Sequence, residues 1–168
     1  YNAAILNKAG INPDEITSYA KLEEAVKKLD AKKAELGLEA VFAVAGKETW
    51  VTGLHFTNAA LSPEFENVFN AFNAKKIDFK YSEGMKKLFD LQINYAKKPV
   101  NSVDYSTQVE KLFSLGKVAF MQQGNWTLGA IKGIDEELAA NIGFLPMPIV
   151  GAKEDSIPVG IPMYWTVN

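Results

Sequence analysis

The stretch VEKLFSLGKVAFMQQGNWTLGAIKG, residues 109–133, contains in order the kinds of element that decide the fold. It begins with an amphipathic run that Gly116 ends, continues with the apolar segment KVAFMQQ at 117–123, and closes with a run of helical character. A short apolar segment bounded in this way is typical of a buried strand. The stretch therefore predicts an α/β layer, with Trp126 directly after a strand.

Strands and helices alternate in the same way along the rest of the chain. Periodicity predicts further buried strands at 38–45 and 141–148, and a fourth one within 158–168. Caps and apolar spacing predict seven helices. The first ends at Gly10, the second runs from Thr17 or Ser18 to about Leu36, and the third covers 47–61. The fourth begins at Ser62, the fifth covers 82–96, the sixth begins at Asp104 or Ser106, and the seventh follows Trp126. We expect one α/β domain, with a small mixed sheet flanked by helices.

Composition excludes several classes of protein. The 168 residues carry a net charge of −2, and KLEEAVKKLDAKKAE (21–35) interleaves lysine with acid, as a solvated helix face does and a nucleic-acid stripe does not. The chain has no cysteine, which excludes disulfides and thiol chemistry, and no apolar run of the roughly 18 residues that would span a membrane. It begins without Met and stops inside a predicted strand, so we expect a chain cut at both ends.

Six motifs occur in an order that resembles the family 1 extracellular solute-binding proteins of ABC sugar importers, the group that includes maltose-binding protein. The most specific is 109–126, which is similar to a family signature through Phe113, Gly116, Ala119, Gly124 and Trp126. The others are YNAAILNKAGI (1–11), TSYAKLEEAVKKL (17–29), EAVFAVAGKETW (39–50), NIGFLPMP (141–148) and VGIPMYWTVN (159–168), where Ile161 replaces the second family glycine.

The resemblance covers nearly the whole chain and implies its fold. Family members have two lobes joined by a hinge, with the sugar held in the cleft between them. Residues 1–168 resemble the second, C-terminal lobe alone, which is a periplasmic-binding-protein-like lobe of type II, truncated at both ends.

The resemblance implies a sugar-stacking role for Trp126, because the family's tryptophan at this place stacks on sugar. A flat indole face packs against the C–H groups of a sugar ring, and open α/β sheets bind ligands beyond the carboxyl ends of their strands. Gly124 would keep the backbone close to the ligand, and the Asn125 amide offers donors and acceptors for hydroxyl groups. The residues alone also allow a partly buried tryptophan that packs on its own helix.

Five further residues are candidates on weaker grounds, with Trp50 the first of them. It follows a predicted strand together with Lys47 and Glu48, in a loop where the family often has an aromatic cleft residue. The same residues allow a helix that begins with an acid and buries Trp50 in the core. Trp165 matches a family tryptophan in the last strand, and Tyr1 stands near the family's crossover between lobes.

No catalytic, metal or cofactor site is predicted. His55 is the one histidine and the chain has no cysteine, so His55 has no partner with which to bind a metal ion. The sequence also contains no Gly-x-Ser-x-Gly nucleophile motif for which His55 could act as the base. Asp135, Glu136 and Glu137 are consecutive acids that are expected to cap a helix. Glu48 is the one acid that falls at the carboxyl end of a predicted strand.

The resemblance implies an exported bacterial protein that captures a sugar or oligosaccharide and delivers it to an ABC transporter permease, without catalysis and without nucleic acid. Two alternatives stay open at this point. A glycoside hydrolase would need two convergent carboxylates, and an interaction domain would show no response to sugars. The sequence does not identify the sugar or tell whether the protein is lipid-anchored.

Overall fold

The computed structural model describes residues 1–157 and Val159. The described α-helices are α1 (Ala3–Ala9), α2 (Tyr19–Ala31), α3 (His55–Leu61), α4 (Val68–Asn73), α5 (Ser82–Asn94), α6 (Thr127–Ile134) and α7 (Glu136–Ala140). The first π-helix is Trp50–Leu54, the second is Thr107–Phe113, and 3-10 turns cover Pro13–Glu15, Ser62–Glu64 and Val100–Ser102. The strands are β1 (Phe42–Ala43) and β2 (Phe120–Met121). The α/β prediction is therefore confirmed, although helices dominate.

The sheet is small and parallel. Phe42 pairs with Phe120 and Ala43 with Met121, and the two phenylalanine rings lie 5.3 Å apart between centroids. Ala96 extends the layer beside β1 through a parallel bridge to Phe42. Because β1 and β2 are parallel, the segments that follow them leave the sheet at the same edge.

Two apolar clusters form the core, and the strands divide their side chains between them. Phe42 packs in one cluster with residues of α1, α2 and α5, whereas its neighbour Ala43 packs in the other with residues of the second π-helix and α6. Successive side chains of a strand point to opposite faces, so helices cover both faces of the sheet. The most deeply buried large side chains are Leu6, Leu29 and Leu88 in the first cluster and Phe113 and Ile131 in the second.

Several predicted helix ends are confirmed by their caps. The Ser18 hydroxyl accepts from the Lys21 N–H at 3.3 Å and begins α2, and Gly10 ends α1 with φ 68°. Asp135 accepts from the Leu138 N–H at 2.8 Å and begins α7. Helix α2 stops at Ala31 instead of Leu36, and the chain continues in turns to Gly37.

The predicted third strand at 141–148 is wrong. Only Ile142 pairs there, in an isolated antiparallel bridge to Asn2. Pro146 and Pro148 have no N–H to donate to a neighbouring strand, so the segment packs as extended coil. Among the described residues, antiparallel pairing is limited to that bridge, which is all that remains of the predicted mixed sheet. The predicted fourth strand lies almost entirely outside the described residues.

The predicted helix at 47–61 is divided. A turn at 46–47 comes first, the first π-helix follows after Thr49, and a regular α-helix begins at His55. Gly53 lies inside the π-helix, where its low helix propensity weakens the α-helical alternative. The helix predicted to begin at Ser62 is a 3-10 turn, followed by the separate helix α4. Within the described residues, no helix has both the length and the apolar composition needed to cross a bilayer.

Candidate functional site

Four aromatic side chains meet where the chain leaves the sheet, and we call them the aromatic cluster: Trp50, His55, Tyr105 and Trp126. The ring centroids of Trp50 and Trp126 lie 6.1 Å apart. His55 completes a triangle with them, at 5.7 Å from Trp50 and 5.9 Å from Trp126. Tyr105 lies on Trp50 at 6.4 Å. These separations fall within the range of favourable aromatic pairs.

The parallel sheet explains why residues so far apart in sequence meet. The first π-helix follows β1 and carries Trp50, and α6 follows β2 and begins after Trp126. Both segments leave the same edge of the sheet, so the two indoles are brought together. The predicted position of Trp50 and Trp126 at strand carboxyl ends agrees with this arrangement, although it does not test a role in binding.

The indoles are surface groups. Trp126 is 52% exposed and Trp50 is 40% exposed, and neither belongs to the apolar core clusters. His55 is half-buried, and this burial lowers the pKa of its imidazole below the ordinary value. The alternative that buries Trp50 in the core therefore does not describe this structure.

Gly124 makes room for the Trp126 indole. A Cβ atom on Gly124 would lie 2.0 Å from Cζ3 of that ring, so the indole folds back over the glycine. Thr127 holds the turn, since its N–H and its hydroxyl both donate to the Gly124 carbonyl, at 3.3 and 3.0 Å. Asn125 at the tip of this turn is exposed.

The segment before Trp50 is fixed against the residues around Tyr105. The Tyr105 N–H donates to Glu48 Oε1 at 3.4 Å, and the Lys47 N–H donates to the Val103 carbonyl at 3.0 Å. Gly46 lies so close to this segment that a Cβ there would be 2.6 Å from the Val100 carbonyl oxygen. Glu48 is thus partly used as a structural acceptor, whereas the Lys47 side chain is exposed.

Asp104, beside Tyr105, is a charged neighbour of the cluster. Hydrogen bonds from Thr107, chiefly from its backbone N–H, hold the pKa of Asp104 below its ordinary value, and Lys47 adds a smaller attraction. The carboxyl group therefore stays ionised at neutral pH, with the charge engaged at the beginning of the second π-helix.

A network of glutamine side chains underlies the cluster, and sequence reasoning missed it. Gln92 on α5 donates to Gln122 Oε1 at 3.0 Å, and Gln122 donates to the Val51 carbonyl at 3.3 Å. Gln108 on the second π-helix is fully buried and donates to the carbonyls of Ala43, at 2.9 Å, and Gln122, at 3.4 Å. The network therefore ties both strand ends to the helices around the cluster.

The orientation of the last amide in this network follows from the others. The Gln108 amide nitrogen faces two carbonyl groups, so its oxygen must face Gln123, whose amide nitrogen donates to it at 2.8 Å. Gln123 Oε1 is consequently left as a buried acceptor without a partner among the described residues. The only signal in sequence was the pair Gln122–Gln123 at the end of a strand, which does not reveal that Gln108 lies beside it.

Tyr1 is placed away from the aromatic cluster. Its ring packs over Gly143, where a Cβ would lie 2.1 Å from the tyrosine Cζ. The next residue, Asn2, donates its backbone N–H to the Ala119 carbonyl at 3.0 Å, at the beginning of β2. Tyr1 thus adjoins the amino end of β2, whereas Trp126 follows the carboxyl end. Trp165 lies outside the described residues.

Neither a surface hollow nor a group of metal-binding side chains in the described residues offers a second site that competes with the aromatic cluster. A hollow of about 370 Å³ lies at the amino end of β1, but the lysines that line it include Lys97, paired with Glu39 at 2.7 Å, and Lys33, paired with Asp30 at 2.9 Å. In the described part of the chain, no three histidine or acidic side chains are grouped so that they could hold a metal ion.

Comparison with known proteins gives one match. The model of the family described as "Bacterial extracellular solute-binding protein" matches residues 1–168. No curated protein and no solved structure matches the chain.

Proposed function

The chain belongs to the bacterial extracellular solute-binding proteins, which are exported and bind solutes for ABC import, and we propose that its solute is a carbohydrate bound by the aromatic cluster. The observation that carries the proposal is the pair of exposed indoles, Trp50 and Trp126, with ring centroids 6.1 Å apart at one edge of the sheet. Two adjacent flat apolar faces on the surface suit the C–H faces of sugar rings.

Stacking is expected to supply a substantial part of the binding free energy. Covering half of one indole removes roughly 100 Å² of apolar surface from water, which is worth about 2 kcal/mol at about 25 cal/mol/Å². The exposed amide of Asn125 and the side chains of Glu48 and Lys47 border the indoles and supply donors and acceptors for hydroxyl groups. Gly124 acts through the position of Trp126. An uncharged, hydroxylated ligand fits this set better than an ion does.

In the mechanism that we propose, residues 1–168 form the second lobe of a two-lobe protein. The cluster lies on an open surface, as expected for one wall of a cleft, and closure of a second lobe over the sugar would exclude water from it. The closed protein would then deliver the sugar to the ABC permease. The sugar should bind this lobe alone far more weakly than it binds a protein with both lobes.

Hydrolysis of the sugar is not favoured. A glycosidase needs one carboxyl group that keeps its proton and a second carboxylate about 5–9.5 Å away. Glu48 accepts from the Tyr105 N–H, and Asp104, whose pKa is lowered, accepts from the Thr107 N–H. Both acids hold the loop, and an acid with a lowered pKa is a poor proton donor. We infer that the site binds its ligand without chemical change.

A panel of sugars tests the proposal. Maltose, maltotriose, cellobiose, xylobiose and galactose are titrated into residues 1–168 near neutral pH, up to concentrations that would saturate the weak site expected of one lobe, while tryptophan fluorescence and heat are recorded, with leucine and glutamate as non-sugar controls. At least one sugar should shift the emission and give a saturable heat, and products analysed afterwards should be unchanged. Saturable binding of an amino acid would refute the proposal. It would also be refuted if no sugar bound in a panel widened to other pentoses and hexoses.

A further inference from the structure

His55 lies against both indoles of the aromatic cluster, at 5.7 and 5.9 Å between ring centroids. Its ring meets Trp50 edge-on, at an interplanar angle of 87°, and lies at 51° to Trp126. It begins α3, directly after the π-helix that carries Trp50. His55 is therefore in reach of a ligand that is seated on the two indoles.

Neither ring nitrogen of His55 takes part in a hydrogen bond among the described residues. The side chain is half-buried, with part of its surface open to solvent. Within the described part of the chain, both nitrogens are therefore left to hydrogen-bond a ligand in place of water.

The chemistry of a neutral imidazole matches that of a hydroxyl group. The neutral ring has one N–H donor and one nitrogen acceptor, and a sugar hydroxyl can accept from the first or donate to the second. Asn125, next to Trp126 in the sequence, offers an uncharged donor and acceptor as well. A ring that lies against two indoles is also held in orientation before the ligand arrives, which reduces the entropy lost on binding.

We propose that His55 is a ligand-binding residue, which hydrogen-bonds a hydroxyl group of the carbohydrate seated on Trp50 and Trp126 and which the bound carbohydrate holds in its neutral form. This inference rests on the proposed function. A ligand that covers the ring removes more water from it, and removal of water disfavours the charged imidazolium. Sugar affinity should therefore fall as His55 becomes protonated.

Charged groups also lie around His55, but the pKa of its imidazole is lowered by burial. The segments that carry the other rings of the cluster hold Lys47 and Glu48 before Trp50, Asp104 beside Tyr105, and Lys132 in the last turn of α6. The elements packed against α3 hold further charged groups, namely Glu64, Glu83, Lys86, Lys87 and Asp90. Burial is the cause that lowers the pKa of His55. The bound sugar would extend the same burial.

The single histidine makes the test direct, because the imidazole Hε1 resonance needs no assignment. Proton NMR follows this resonance against pH, without ligand and with the sugar that gives the strongest tryptophan response among maltose, maltotriose, cellobiose, xylobiose and galactose. We expect the sugar to shift the resonance and lower the pKa of His55, with about a tenfold loss of affinity at low pH for each unit by which the pKa falls.

Two variants separate hydrogen bonding from packing. His55→Phe keeps an aromatic ring but loses both nitrogens, so sugar affinity should fall about tenfold, the loss of one or two hydrogen bonds. His55→Gln keeps one donor and one acceptor and cannot titrate, so it should bind within a few fold of the original protein and lose the pH dependence. Circular dichroism of both variants verifies the fold.

The outcomes distinguish this inference from the function on which it rests. If a sugar shifts tryptophan fluorescence but leaves the His55 resonance and pKa unchanged, His55 is not a ligand-binding residue while the carbohydrate site stands. Equal affinity of a folded His55→Phe protein would have the same meaning. If no sugar in the widened panel shifts the fluorescence, the proposed function and the role of His55 fall together.

Discussion

Gly124 shows how one residue fixes the position of a binding group. Its missing Cβ leaves space in which the Trp126 indole folds back, at a separation of 2.0 Å from the place where that atom would be. The rotation of a side-chain end alone cannot relieve such a contact, because the neighbour is a rigid ring. The indole must swing out if the glycine acquires a side chain.

We therefore expect Gly124→Ala to move the Trp126 ring and to shift its emission, while it destabilises the fold by less than about 1 kcal/mol, because the half-exposed ring can swing into solvent. The free energy of unfolding in urea and the wavelength of tryptophan emission measure the two effects. Gly129→Ala is the matched control, since a Cβ there meets nothing within 4 Å and the residue lies inside α6. It should be neutral or stabilising by about 0.5–1 kcal/mol. Equal effects of both substitutions would contradict the packing argument.

Trp126 is expected to supply a large part of the binding free energy. Trp126→Ala should weaken binding of the sugar by about 2 kcal/mol, from the apolar surface no longer covered, and should scarcely change stability because the ring is 52% exposed. Titration calorimetry and urea denaturation measure these quantities. Phe144→Ala removes a 62% exposed ring elsewhere on the surface and should leave affinity unchanged. An unchanged affinity of Trp126→Ala would remove the indole from the site.

At this scale, the sequence predicted half of the aromatic cluster. Trp50 and Trp126 could be placed because each follows a recognisable strand, and parallel strands release the chain at one edge. His55 and Tyr105 could not, because they follow a π-helical turn and a 3-10 turn whose direction depends on the packing of α3 and Val103. A lone histidine in an apolar run has no periodic signal that reveals its neighbours.

Among the elements, the two π-helices stand out, because both adjoin the aromatic cluster. The first carries Trp50, and the second follows Tyr105 and buries Gln108. Single π-turns are rare and occur frequently at functional sites. Gln108 explains the second one in part, since its amide reaches the carbonyl of Ala43 on β1 as well as the end of β2.

We predict that Gln108→Leu destabilises the protein by roughly 2–4 kcal/mol, because it leaves the Ala43 carbonyl and the Gln123 amide without partners in the interior. The free energy of unfolding in urea measures this cost. In a double-mutant cycle with Gln123→Leu, the combined cost should be smaller than the sum, since the second change removes a group that the first has left unpaired. Additive costs would show that the two amides do not interact.

The element that sequence patterns misassigned, 141–148, shows where such patterns fail. Its apolar composition is that of a buried strand, and Ile149 directly after it is indeed buried. The segment does not form a strand because it lacks backbone N–H donors. Pro146 and Pro148 have none, and the Met147 N–H donates to the Ser156 carbonyl at 3.1 Å. Burial could be predicted from composition, but the hydrogen-bond partner could not.

Across the whole molecule, the aromatic cluster depends on both core clusters. Phe42 and Ala43 divide the core between the two faces of the sheet, and the segments after β1 and β2 bring Trp50 and Trp126 together only while both faces remain packed. Unfolding of either face should therefore disperse the site. The pH dependence of stability then reports on the site as well as on the core.

Stability should decrease in acid in two stages, the first of which belongs to His55. Burial lowers the pKa of its imidazole, so the unfolded chain binds a proton that the folded protein excludes. Stability rises with pH wherever the unfolded state binds more protons. This contribution is therefore fully present above the ordinary pKa of about 6.5 and is lost as the pH falls through the lower folded value.

Urea denaturation across this range should show the decrease in the original protein and not in His55→Gln. Both proteins should keep the second, more acidic stage, in which Asp104 and Glu39 take up protons, since hydrogen bonds from Thr107 and Lys97 lower the pKa of these two acids in the folded state. If the two proteins lose stability in parallel from neutral pH downward, His55 is not the group that titrates in the first stage, and its burial in the cluster has no energetic consequence.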